Sequence, residues 1–150
     1  MTARGVVREL RQAAGLTQQD LGRRAGVAQP NIAAYETGQR VPSAAMVARL
    51  RAAAPPRPSL VLADRHEDIL AAARQHKASH VRVFGSVARG DDVSGSDLDL
   101  LVTFASDATI FDLADLTASL EELTGLQVDV ISEGGLRAGP NPIRDQAVAL

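Results

Sequence analysis

The sequence predicts an α+β protein of two domains, a helical N-terminal part followed by a part in which strands alternate with helices. Three observations carry this. The stretch Ala54-Pro55-Pro56-Arg57-Pro58 sets three prolines in four positions, which forbids a continuing helix and favours an extended, semi-rigid connection. Before it, apolar residues recur at helical steps, as in Val6, Val7 and Leu10 and then Leu21 and Ala25; after it, apolar runs of strand length appear. The charge also divides: residues 1–57 carry nine arginines against three acids, a net +6, whereas residues 58–150 carry seven bases against fifteen acids, a net −8. These place a helical domain at 1–54, a linker at 55–61 and a second domain at 62–150.

With 150 residues, 45% apolar, 3% aromatic and no Trp, the cores must be built from Leu, Val, Ile and Ala. The absence of Cys excludes disulfides and thiolate metal sites and fits a reducing compartment, so a cytoplasmic location is expected. Met1 to Gly15 carries charges throughout, unlike a secretory leader, and no apolar run approaches the roughly 18 residues of a membrane helix. No membrane association is expected. A basic segment suits phosphate backbones, and an acidic one needs metal ions or basic surfaces to meet a nucleotide.

Leu16 to Tyr35 has the form of two helices joined by a tight turn. Thr17 is read as the N-cap, Gln18–Ala25 as the first helix, Gly26 as the turn and Gln29–Tyr35 as the second helix, with Pro30 in its first turn where the missing N–H costs little. Past the linker, Ser59 is read as the cap of a helix with Leu62, Ile69, Leu70 and Ala73 facing inward, ending near Gln75 to Ser79. Residues 81–84 and Leu98 to Phe104 read as strands. Leu113, Leu116, Leu120 and Leu123 repeat at helical steps with Gly125 as a stop. Gln127–Ile131 reads as a third strand, and the tail from Pro142 to Leu150 as a short closing helix.

Asp97 and Asp99 are two apart at the head of a strand, so both carboxylates point to one face. Like charges that close are unfavourable unless a cation sits between them, and oxygen ligands select a hard ion, with Mg²⁺ the expected one. Gly85 and Ser86 end one strand and open a turn of helix, offering free backbone N–H groups and a hydroxyl as a phosphate cradle; a Walker loop is excluded because Gly-Lys-Ser/Thr is absent. Asp129, flanked by Val128 and Val130, projects opposite them, and completes a carboxylate triad if its strand neighbours the one after Asp97. Asp91, Asp92, Asp107, Asp112 and Asp115 read as loop and helix-start charges. His66, His76 and His80 lack metal spacing and read as surface residues.

The run Leu10 to Gln18, with Ala25-Gly26-Val27, Tyr35-Glu36-Thr37-Gly38 and Arg40-Val41-Pro42-Ser43, resembles the Cro and phage-repressor (XRE) helix-turn-helix family over about 50 residues. The resemblance implies Gln18, Gln29 and Asn31 as phosphate or base contacts and Arg40 on the DNA backbone. Two departures stand out: Ala28 occupies a position where the family usually caps with Ser or Thr, and Ala33 and Ala34 leave the second helix poor in polar reach. A role in protein contacts rather than DNA binding stays open.

Phe84-Gly85-Ser86, Arg89-Gly90, Ser96-Asp97-Leu98-Asp99 and the later Asp129 together resemble the polymerase-β-type nucleotidyltransferase superfamily, and most of all its minimal members. That resemblance covers roughly residues 62–150. It implies a small mixed sheet, Asp97, Asp99 and Asp129 as catalytic metal ligands with Asp129 as ligand or base, and Gly85, Ser86, Arg89 and Ser96 around the nucleotide. Arg89 is left with two roles, stabilising phosphate charge or pairing with a nearby Asp. Minimal nucleotidyltransferases are often antitoxins paired with a helical HEPN ribonuclease toxin. The resemblance therefore implies an Mg²⁺-dependent enzyme that transfers AMP from ATP to a hydroxyl, that of a Tyr, on such a toxin. Its helix-turn-helix would bind an operator and regulate the operon, as a homodimer or as a hetero-oligomer with the toxin. The alternative is a non-catalytic repressor whose second domain only binds nucleotide or toxin; transfer to a small molecule is disfavoured by the shortness of the domain.

Overall fold

In a computed structural model that describes residues 3–150, the chain divides into two compact units: residues up to Leu60 with Val93–Gly95, and Val61–Asp92 with Ser96–Leu150. Residues 1 and 2 of the expected first domain lie outside the described residues. Among the described residues, no helix is long and apolar enough to cross a membrane.

The first unit holds α1 (Ala3–Ala13), α2 (Gln18–Ala25), α3 (Gln29–Thr37) and α4 (Ala44–Ala53). Thr17 starts α2 through a reciprocal capping box with Asp20, which satisfies donors that a helix start would otherwise leave bare. Gly26, at φ 66°, ends it in the left-handed conformation that glycine adopts without a Cβ penalty. A Cβ on Gly22 would stand 2.5 Å from the Val27 carbonyl, so the turn can close only over glycine. As expected from Ala28, α3 begins without a side-chain cap, and it runs two residues past Tyr35 to Thr37 before Gly38 stops it. Ser43 caps α4 by accepting from the Met46 amide at 3.1 Å. Val7, Leu21, Ile32 and Leu50 are fully buried at the centre, with Ala14, Ala25 and Ala54 beside them and Tyr35 and Met46 packed around.

Helix α5 (Pro58–Gln75) starts at Pro58 rather than Ser59, since proline suits a first helical turn, and its backbone leaves helical values at Arg65. Then follow β1 (Ala78–Phe84), α6 (Gly85–Arg89), β2 (Leu98–Phe104), α7 (Ile110–Thr124), β3 (Val128–Ser132), a 3₁₀ turn at Glu133–Gly135, α8 (Pro142–Gln146) and β4 (Val148–Ala149). Strand β1 begins three residues earlier than the apolar run suggested, because its pairing with β2 shifts register between Ser79 and Arg82 around His80 at φ 50°. The closing helix stops at Gln146. The chain then pairs along β1, with the Leu150 amide donating to the Val81 carbonyl at 3.0 Å, which gives that outer edge a hydrogen-bonding partner.

The sheet order is β3-β2-β1-β4, parallel between β2 and β3 and antiparallel elsewhere, hence mixed. Leu98, Leu100 and Val102 of β2 are fully buried with Ile69 of α5 and Leu116 of α7, and Leu120, Val128 and Val130 complete that core. Thr109 and Asp112 form a second capping box at the start of α7.

Candidate active site and nucleic-acid interface

Alternation along β2 sends Leu98, Leu100 and Val102 into the core, so Asp99 leaves the opposite face. In β3 the same logic buries Val128 and Val130 and exposes Asp129. The parallel register sets Asp99 directly beside Asp129, and the antiparallel register sets it beside Phe84 on the other flank. Neighbouring strands lie roughly 4.8 Å apart, so the two carboxylates leave the sheet side by side. Asp97 sits exposed in the turn just before β2, and with Asp129, Glu121, Gln127 and Val128 it lines a cleft of about 330 Å³.

Gly85, at φ 69°, follows β1 directly, and a Cβ there would collide with the Asp99 carboxylate. Glycine is thus what lets the start of α6 approach Asp99. Ser86 is half-buried in that turn; Arg89, at its exposed end, donates from Nε to Asp91 at 3.4 Å. Of the two roles left open for Arg89, the pairing with Asp is the one present here. Burial first, then the charges of Asp129 and Asp97, push the Asp99 carboxyl above its ordinary range, against an opposing pull from Arg89.

Among the described residues, no group of three His, Asp or Glu side chains is already gathered as a metal cage. Asp97 and Asp129 line one cleft, and the charges of both reach Asp99. Mg²⁺ typically takes only one or two carboxylates and completes its shell from water and phosphates. A crowd of negative charge that destabilises the ionised form of Asp99 is a donor set that a hard cation relieves, so these residues fit such an ion.

Several residues escaped the sequence reading. Glu121 accepts from the Val128 amide at 3.2 Å and lines the cleft; its only signal is a place in the last turn of α7, ahead of Gly125. Glu133 accepts from Arg82 at 2.6 Å and from Arg144 at 2.5 Å, and these pairings, Arg144 first, hold its carboxyl below the usual range. Asp92, expected as a loop charge, lies in the loop before β2 but is only 2% exposed.

In the first unit, Gln18 Nε2 donates to Glu36 at 3.0 Å, and Gln29 Nε2 donates to Gln18 Oε1 at 2.9 Å. Arg40 Nη1 donates to Asn31 Oδ1 at 2.9 Å. The four expected contact residues are thus brought together as two pairs. Gln18 and Gln29, with Arg11, Thr17 and Gln19, line a shallow depression of about 630 Å³. Glu36, read in the sequence as a charge and as part of the Tyr35-to-Gly38 motif, anchors the first pair: its side chain is 1% exposed and takes Arg11 at 2.6 and 3.1 Å and Arg8 at 3.6 Å. Burial alone would raise its carboxyl, but hydrogen bonds from Arg11 and Gln18 and the charges of Arg11 and Arg8 hold it below the ordinary value.

Comparison with known proteins matches residues 4–54 to the helix-turn-helix domain family and residues 64–148 to the nucleotidyltransferase domain family. A candidate protein adenylyltransferase of Methanocaldococcus jannaschii is 38% identical over 58 residues, 39% of this chain and 62% of that protein. The protein adenylyltransferase MntA of Thermococcus cleftensis is 37% identical over 59 residues, 39% of this chain and 60% of its own length. The chain therefore spans somewhat under two thirds of these two relatives. A solved structure of a candidate minimal nucleotidyltransferase superposes with a TM-score of 0.54 at 43% identity, covering 61% of this chain and 95% of that one.

Proposed function

The chain belongs to the nucleotidyltransferase domain family and carries an N-terminal helix-turn-helix domain; from that premise we propose that it is a protein adenylyltransferase that also regulates its own operon. The observation that carries the reading is the register of β2 and β3, which sets Asp99 beside Asp129, with Gly85 left bare against Asp99. The names of the relatives support AMP transfer from ATP to protein, and the resemblance to minimal nucleotidyltransferases supports a Tyr hydroxyl on a HEPN-family toxin as the acceptor.

Asp97, Asp99 and Asp129 would hold Mg²⁺. When bound, it supplies positive charge against the phosphates and the departing pyrophosphate. Ser86, the amides of Gly85 and Ser86, and Ser96 are proposed to fix the phosphates. Arg89 is proposed to leave Asp91 and offset their charge. Asp129, exposed at the rim, receives the proton of the acceptor hydroxyl as its oxygen bonds to the α-phosphorus and pyrophosphate leaves. Positioning and charge neutralisation carry most of such a transfer. Gln18 and Gln29 are proposed to meet the operator in the major groove, where an amide pairs bidentately with adenine, and Asn31 and Arg40 to join them.

The test is incubation with labelled ATP, Mg²⁺ and the all-helical product of a neighbouring gene, following the mass of that product. A gain of AMP that falls about 100-fold in Asp99→Asn, the usual cost of one lost electrostatic contact, supports the reading. A tight complex without transfer makes the protein a binding-only regulator.

A further inference from the structure

Strand β3 is an edge of the sheet, and Asp129 leaves it on the face opposite the core that Val128 and Val130 share with Leu116 and Leu120 of α7. Helix α7 therefore acts on Asp129 through the backbone of β3, and the residues just before Asp129 are held from both sides. Toward β2, the Leu98 amide donates to the Gln127 carbonyl at 2.9 Å. On the outer side, the Val128 amide donates to Glu121 Oε1 at 3.2 Å. The turn between α7 and β3 is tied as well: the Thr124 hydroxyl donates to the Leu120 carbonyl at 2.7 Å and accepts from the Leu126 amide at 3.2 Å. Glu121 sits where local rules disfavour an acid. It lies in the last turn of α7, at the negative end of the helix dipole, and it lines the cleft that already holds Asp97 and Asp129. What its carboxylate gains there is an outward-facing strand amide that no neighbouring strand takes.

We propose that Glu121 is a positioning residue, whose carboxylate fixes the head of β3 and so holds Asp129 beside Asp99. This rests on the adenylyltransferase reading above, in which Asp129 receives the proton of the acceptor hydroxyl, and adds what keeps Asp129 in place. Asp99 needs no such hold, because β2 is flanked by β1 and β3 and its register is set on both sides. Among the described residues, Asp129 has a strand on one side only. Without Glu121 the start of β3 is free to fray from the edge, and a misplacement of about 1 Å costs a transfer step up to about 100-fold. The nucleotide, held in the proposed cradle at Gly85 and Ser86, stays where it is. The loss therefore falls on kcat and leaves KM for ATP unchanged.

The test compares Glu121→Ala with Glu121→Gln in the full chain. Both keep α7 helical, since alanine and glutamine are good helix formers and the position is exposed; only glutamine keeps an oxygen for the Val128 amide. Amide hydrogen exchange by NMR is expected to show Val128 about 10-fold less protected in Glu121→Ala, with the Asp129 backbone resonance shifted and the β2 amides unchanged, and both changes reversed in Glu121→Gln. AMP transfer to the neighbouring-gene product is expected to lose about 10-fold in kcat in Glu121→Ala, at unchanged KM for ATP, and glutamine to restore it. Val128 exchange that is the same in all three proteins overturns the proposal, as does full transfer by Glu121→Ala. Glutamine as deficient in transfer as alanine, with Val128 still protected, overturns it too, because the charge and not the hydrogen bond is then what transfer needs. An exposed Val128 amide and a shifted Asp129 in Glu121→Ala, with no transfer even by the unaltered chain, keeps Glu121 as the hold on Asp129 and sinks the transferase reading.

Discussion

At Gly85 two separate demands fall on one residue: a left-handed backbone at φ 69° and no atom where the Asp99 carboxylate lies. Gly90, at φ 77° with nothing within 4 Å of a built Cβ, meets only the first. Gly90→Ala is therefore expected to cost about 1–2 kcal/mol of stability, the left-handed penalty of an L residue, and to leave transfer nearly intact. Gly85→Ala carries the same strain and also displaces Asp99, so its transfer should fall far more than its stability; chemical denaturation beside AMP transfer separates the two. Glu36 gives a second residue-scale prediction. Its pairing holds the folded-state carboxyl below the unfolded value, so the stability it contributes is complete above about pH 4.3, the ordinary Glu value, and is lost as pH falls through the lower folded value. Glu36→Gln should cost about 2 kcal/mol at pH 7, the scale of charged hydrogen bonds, and flatten the acid limb of a stability-against-pH curve. An unchanged limb would mean that Glu36 is not the titrating partner of Arg11.

The elements differ in how completely their ends are satisfied. Helices α2 and α7 open with full capping boxes, whereas α3 opens on Ala28 in an extended conformation that a Ser or Thr would adopt equally well. Ala28→Ser is expected to stabilise the first unit by about 0.5–1 kcal/mol through a new side-chain acceptor for the start of α3, seen as a higher Tm. Helix α2 was legible to the residue, because Thr17 and Gly26 are local signals acting on their own backbone; the part of Asp20 in the capping box came only with the structure. Helix α4 was not singled out beforehand: its Ala-rich run lacks a strong apolar stripe, and only the burial of Leu50 in the first core fixes its place. Strand β4 was read as helix, since its two residues become a strand only by pairing with β1.

Across the whole molecule the two parts carry opposite net charge, which under the proposed function suits the basic part to a phosphate backbone. DNA binding by the +6 segment should weaken steeply with salt, because each neutralised phosphate releases counterions; affinity unchanged between about 50 and about 200 mM salt would count against a DNA role. Asp97, Asp99, Asp129, Gly85 and Ser86 were all singled out from the sequence alone, because a paired Asp-x-Asp, a Gly-Ser turn and a lone Asp in an apolar strand each break the local rules of folding. What the sequence by itself determined was therefore local: the caps, the strand alternation and the residue types that favour a metal and a phosphate. The tertiary structure decided what touches what. It set β3 parallel beside β2 so that Asp99 lies beside Asp129, buried Glu36 under Arg11 and Gln18, buried Asp92, and placed Glu121 of α7 on the Val128 amide. Those outcomes depend on strand register and on contacts between residues far apart in the chain, and no periodicity within one segment encodes them.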